Sequence, residues 1–180
     1  MASINGIEIK NLKTFRDHEG AQIAQGDVWC DGKKVGFWSQ DSWGGPDLFD
    51  GCEKIVAQRA KLFAEGYPKE DKYADFQDDP AIFMGHLLAL KEDEKTYNKY
   101  FKKGYPSLVC VTDGWHYSAQ AFAQRLTKAS LESDVLKPYI DEMLKGMFMG
   151  SDKKVYMYTA KTDFKIVCDK NHPVPDRFVG

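Results

Sequence analysis

The chain has 180 residues, a formal net charge of −2, and 43% hydrophobic and 29% charged residues, the profile of an ordinary globular protein with enough chain for one sizeable core. That balance excludes nucleic-acid binding by bulk electrostatics, which needs a concentrated basic surface, and leaves room only for a local basic patch. No run approaches the ~20 apolar residues of a membrane span, and Met1 leads into a mixed stretch without a signal-peptide apolar region; the expectation is a single 1–180 domain in the cytoplasm.

Residues 4–12 alternate as a first strand, with Asn5-Gly6 as an early turn. Residues 15–20 form a polar connection. Residues 21–30 and 33–40 then read as a hairpin across Asp31-Gly32, because a type I′ turn needs positive φ at both central residues. A two-residue turn sets Val28 opposite Val35 and Trp29 opposite Lys34. Side chains alternate across a sheet, so Val28, Cys30, Val35 and Phe37 are expected to face the core and Trp29, Lys34 and Trp38 to face away. Asp41 to Pro46 breaks the strand. Asp47 reads as the N-cap of a first helix, with Leu48, Cys52, Ile55, Val56, Leu62 and Phe63 at helical spacing up to Gly66.

Asp79-Pro80 is a second helix start, a cap followed by a proline whose missing N–H costs nothing there. Its apolar face is Phe83, Leu87 and Leu90, and Gly104 is the stop. Residues 107–112 are a buried apolar strand, followed by an Asp113-Gly114 turn. Residues 119–129 are alanine-rich and read as a helix, and residues 135–146 as another, with Pro138 in its first turn. Residues 155–167 close the fold as one strand or a bent pair broken near Thr162-Asp163. Strands in blocks and helices in pairs, in the order β-β-β-α-α-β-α-α-β, argue an α+β fold with a mostly antiparallel sheet and helices packed on one face.

Chemistry-bearing groups are sparse. The four cysteines, Cys30, Cys52, Cys110 and Cys168, are widely spaced without a Cys-x-x-Cys, the pattern of reduced, buried thiols. None of His18, His86, His116 and His172 has a second ligand at helical spacing, so neither a metal site nor a cofactor is expected. Asp17-His18-Glu19 and the loop carrying His116 place histidines beside carboxylates. A small metal-independent ribonuclease could use His18, Glu19 and His116 for proton transfer, with hairpin lysines on the phosphate. The competing feature is aromatic and polar: Trp38, Gln40, Asp41 and Trp43, with Lys33 and Lys34, make a candidate partner-binding face. Tyr156, Tyr158, Lys161 and Lys165 could extend it. Tryptophan and tyrosine anchor protein interfaces and also stack on unpaired bases.

Across residues 7–47, and most clearly in Gly26-Asp27-Val28-Trp29-Cys30-Asp31-Gly32-Lys33-Lys34-Val35 and the Asp41-Ser42-Trp43-Gly44-Gly45-Pro46 exit, the sequence resembles small proteins of phages and other mobile elements of Firmicutes. Some proteins of this size and origin are anti-CRISPR inhibitors of the type II-A RNA-guided DNA endonuclease. The resemblance implies a cytoplasmic protein of the bacterial host cell. It would bind the guide-RNA-loaded effector and block target DNA loading or cleavage, with no strong nucleic-acid binding of its own. Its carboxylates (Asp41, Asp47 and the cluster at 75–79) would meet the effector's basic channel. Ribonuclease action on the guide RNA, or a non-inhibitory interaction module of a mobile element, are the other readings.

Overall fold

The Asp31-Gly32 turn forms as its sequence dictates, with φ of 48° and 81° at its two residues. In this computed structural model, which describes residues 1–113, 117–145 and 153–178, the hairpin sits in a mixed α+β chain. In order come β1 (Ser3–Ile4), β2 (Ile7–Arg16), β3 (Gln22–Cys30), β4 (Lys33–Ser39), β5 (Leu48–Asp50), α1 (Glu53–Glu65) and α2 (Pro80–Phe101). Then follow β6 (Ser107–Thr112), β7 (Tyr117–Phe122), α3 (Lys128–Leu131), α4 (Lys137–Lys145), β8 (Lys154–Tyr158) and β9 (Lys165–Ile166). Short 3-10 turns lie at Ala74–Phe76, Lys161–Phe164 and Asp176–Phe178. The described chain divides into two compact units, Met1–Lys91 with Phe164–Val174, and Glu92–Asp163 with Pro175–Gly180.

The first unit is built on a six-stranded sheet of order β5-β4-β3-β2-β1-β9. All its pairings are antiparallel except β1 with β9, which run parallel with Ser3 opposite Lys165 and Ile4 opposite Ile166. Ile7, Ile9 and Val28 from the strands, Val56, Ala60 and Phe63 from α1, and Phe83 and Leu87 from α2 are all fully buried. The Phe63 ring meets Phe83 edge-on at 5.8 Å. Asp79 Oδ1 accepts the Ala81 and Ile82 N–H groups, so the expected cap of α2 is real.

The hairpin register departs from expectation. Trp29 does lie opposite Lys34, but Val28 lies opposite Gly36, which leaves Val35 as an extra, bulged residue. A Cβ on Gly36 would stand 2.2 Å from the Asp50 carbonyl oxygen and 2.8 Å from Cys52 Cβ. Only glycine lets the chain around Asp50–Cys52 close against β4, and the bulge delivers that glycine. One added residue inverts the alternation of everything after it. Val28 and Cys30 are buried as expected, whereas Val35 and Phe37 are half-buried and Trp38 is fully buried. Trp38, expected outside, therefore belongs to the core.

The first helix also starts later than expected. Residues 48–50 pair with β4 as a short strand, Ser39 opposite Leu48 and Phe37 opposite Asp50. The chain turns at Gly51 (φ 74°), and Cys52 is the N-cap of α1. Asp47 is no cap; its Oδ2 accepts the Trp38 indole N–H at 2.7 Å.

The second unit carries a three-stranded antiparallel sheet of order β7-β6-β8. Alternation along β6 sends Val109 and Val111 to one face, where they form a core with Leu126, Leu136 and Ile140. The expected helix over 119–129 is instead β7 followed by a loop. Ala119 and Ala121 pair with Cys110 and Leu108, and the long-range ladder outweighs alanine's helix preference. The expected last strand is bent: β8 ends at Tyr158, the chain passes through the Lys161–Phe164 turn, and β9 joins the first sheet.

Candidate functional site

Two loops at one end of the first sheet build the most exposed aromatic feature of the described residues. Between β2 and β3, Asp17 organises a tight turn. Its Oδ1 accepts the N–H groups of Glu19 (2.9 Å) and Ala21 (2.8 Å), and Gly20 adopts φ 87°. After β4, the Asp41 carboxylate accepts the Trp43 N–H, an Asx turn that fixes the Trp43 backbone. The loops meet through aromatic contact: the His18 and Trp43 rings stack with centroids 4.0 Å apart and planes 28° from parallel. His18 Nδ1 lies 3.1 Å from the Ser42 carbonyl oxygen. A carbonyl only accepts, so this bond puts a proton on Nδ1. Trp43 nevertheless stays 78% exposed. A large ring is thus held from beneath by His18 and from behind by its own turn while its outer face meets solvent.

The remaining sequence-derived site residues scatter. Gln40 supports the fold, its Oε1 accepting the Ala24 N–H at 2.8 Å. Lys34 pairs with Asp27 across the hairpin at 2.7 Å, and Lys33 is exposed beside the turn. Glu19 is exposed, its Oε1 3.7 Å from His18 Nε2. The two hairpin lysines sit at the opposite end of β3 from His18, about 27 Å away for a nine-residue strand. The structure therefore does not bring His18 and these lysines to one phosphate. His116 lies outside the described residues. Among the described residues no group of three or more His, Cys, Asp or Glu side chains converges as a metal site.

A second cluster escaped the sequence reading. On the face of the second sheet opposite its apolar core, the Tyr158 hydroxyl donates to Asp93 Oδ2 at 2.7 Å. Arg177 donates to the same carboxylate oxygen and to the Tyr158 hydroxyl. Its guanidinium lies 4.9 Å from the Tyr156 ring centre and 4.7 Å from that of Phe178. The Arg177 and Asp93 side chains are only 8% and 5% exposed. Tyr158, which the sequence suggested for the binding face, is turned into this cluster and buried. Burial pushes the neighbouring Cys110 thiol up to about 12, with the Asp93 charge adding to it. It also raises the Tyr156 and Tyr158 phenols, so all three stay protonated in neutral solution. One signal did exist: Phe83, Leu87, Leu90, Asp93 and Tyr97 follow helical spacing, so an aspartate stands in an apolar stripe.

All four cysteines are free and buried. No helix among the described residues is long and apolar enough to cross a membrane. No protein-family model, curated protein or solved structure matches the chain. What remains for a functional reading is the site itself, together with the expected resemblance of residues 7–47, which none of these comparisons supports.

Proposed function

We propose that this protein is a binding protein of the anti-CRISPR kind, docking on the guide-loaded type II RNA-guided endonuclease and blocking target DNA loading or cleavage. The observation that carries the reading is Trp43, a 78% exposed tryptophan held in place by the His18 stack and the Asp41 turn. Docking a side chain that is already ordered costs little rotamer entropy, and tryptophan is the residue type most enriched among dominant interface contacts. Asp41, exposed beside it, supplies a carboxylate for a basic partner surface, and the effector's nucleic-acid channel is such a surface. Trp38, fully buried, bonds Asp47 at the far end of the loop, and Gln40 ties its near end to β3.

The test is a DNA-cleavage assay with the purified protein and the loaded endonuclease, with the guide RNA run in parallel on a denaturing gel. Blocked cleavage with intact RNA supports the proposal. Trp43→Ala should then weaken inhibition about 30-fold, equivalent to ~2 kcal/mol, without moving the unfolding midpoint. Shortened RNA would instead reveal the ribonuclease reading, and unchanged DNA cleavage would remove the endonuclease as partner.

A further inference from the structure

The C-terminal end of α2 carries a feature that the docking loop does not use. Tyr97 and Phe101, one turn apart with ring centroids 5.5 Å from each other, line a cleft of about 310 Å³ together with Pro106. Thr159 and Ala160 form the facing wall, and Arg125 and Lys161 complete the lining. Arg125 and Lys161 are exposed, and Phe101 is 43% exposed. The Lys161 ammonium hangs 5.6 Å over the Phe101 ring. Every one of these residues lies within Glu92–Asp163 of the second unit.

Several cations surround the cleft. Lys99, Lys102 and Lys103 flank the same helix end, two of them within 6.0 Å of the Tyr100 ring centre. Tyr100 in turn meets the part-exposed Tyr105 ring edge-on at 6.2 Å. Among the described residues none of these three lysines, nor Arg125 or Lys161, has a carboxylate within ion-pair distance. Asp163, beside the cleft wall, turns its Oδ2 to the backbone, accepting the Thr159 and Ala160 N–H groups at 2.7 and 2.9 Å, while its charge also acts on Tyr97. A helix C-terminus alone repels anions, and the cluster of lysines there offsets that field. An exposed ring, Phe101, with cations that have no carboxylate partner beside a small apolar cleft matches single-stranded nucleic acid: a base displaces the Lys161 ammonium from the ring and stacks there, and its phosphates meet the cations. An acidic peptide would use the cations and leave the aromatic cleft without a purpose.

We infer that the C-terminal end of α2, with Arg125 and Lys161, is a binding site for single-stranded nucleic acid, taking one base against Phe101 and the flanking phosphates on the cations. The site is local, so it is compatible with a net charge of −2, and it shares no residue with the Trp43 loop.

The experiment is fluorescence anisotropy of the full chain with labelled oligo-uridine and oligo-deoxyuridine at about 50 and about 200 mM salt. Saturable binding of either is expected, and the stronger of the two identifies the sugar preferred. Two phosphate contacts predict a log–log salt slope near −1.4, at about 0.7 per phosphate on a single strand. Arg125→Glu should weaken binding and flatten that slope, and Phe101→Ala should weaken it about tenfold. Both residues are exposed, and an unchanged near-UV circular dichroism spectrum confirms the fold; Lys161→Glu is the substitute if Phe101→Ala alters it. Trp43→Ala should bind the oligonucleotides like the parent protein, so failure of the docking proposal and failure of this one are separable. Absence of saturable binding at the lower salt, indifference to these substitutions, or equal competition by poly-glutamate would each overturn the site.

Discussion

Two clusters in this protein are assembled from the same parts and differ in their access to water. On the outer face of the first sheet, Lys10 lies 3.7 Å from the Trp29 ring centre, and the Asp27 carboxylate accepts Lys34 and Asn11 at 2.7 Å each. In the second unit, Arg177 packs on tyrosine rings and bonds the carboxylate of Asp93. Lys34 is exposed, whereas Arg177 and Asp93 are almost wholly enclosed. Water around the first cluster competes for each charge and screens each pair, so an exposed ion pair contributes little. No water replaces a partner lost from the second, and the remaining charge stays stranded in a poor solvent. The buried cluster is therefore the one that tolerates loss of a single partner least, because the penalty is the stranded charge and not the net worth of the pair.

The contrast can be broken most forcefully at Arg177. Arg177→Ala leaves Asp93 enclosed without its counter-charge and should cost about 3–5 kcal/mol in urea unfolding, whereas the double change Arg177→Met with Asp93→Leu should recover much of it. A loss no larger than that of Lys34→Ala would erase the distinction between the two clusters.

A smaller loss is expected inside the first unit. Trp38→Phe keeps most of the core volume but removes the indole N–H from Asp47, and should cost about 1–3 kcal/mol. An unchanged unfolding midpoint would return Trp38 to the surface and cancel the bulge at Val35.

Asp47 itself sharpens the comparison through pH. Burial raises its pKa, and the indole bond opposes the shift without cancelling it. The folded state thus holds this proton more tightly than the unfolded chain does. Stability should fall as pH rises from the ordinary aspartate range through the raised value. Asp47→Asn should remove that decline from the pH profile of unfolding; an identical decline in both proteins would assign it to another group.

The least effect is expected from Lys34→Ala. Hydrogen bonds from Lys34 and Asn11 hold the Asp27 carboxyl below its usual range. The stabilisation is thus present above the ordinary aspartate pKa and lost as pH falls through the lowered one. The midpoints of parent and variant should differ slightly in neutral solution and converge in acid. A gap that persists in acid would point to lost packing of the lysine stem rather than charge.

What the sequence made legible were features with local causes. The Asp31-Gly32 turn, the Asp79-Pro80 helix start and the apolar strand at 107–112 each carry their explanation within a few residues. The α+β class followed from the order of such segments. The bulge at Val35 did not, because its cause is the approach of Asp50 and Cys52 to Gly36 from a later part of the chain. Nor did β7, whose alanines take strand geometry only because β6 is there to pair with them. The exit loop was legible as an aromatic and polar segment. Trp43 is exposed, as a place on the expected binding face requires, but that Trp38 lies inside was not legible, since one bulged residue decides it. Arg177 and Asp93 stand 84 positions apart, and only the misplaced aspartate in an apolar stripe hinted at them.

The parallel pairing of β1 with β9 has a consequence for how the chain is made. Asn5 is bound twice to that far segment, its N–H to the Ile166 carbonyl and its side-chain oxygen to the Cys168 N–H, the latter across 163 positions. A ribosome delivers Ser3 and Ile4 long before their neighbour exists. Until β9 emerges, one side of the nascent sheet presents unpaired backbone groups to whatever strand comes near. Closing so long a loop is slow relative to local helix and hairpin formation. Completion of this sheet is thus a late event in synthesis, and crowding of nascent chains on one message would be felt first at that open margin.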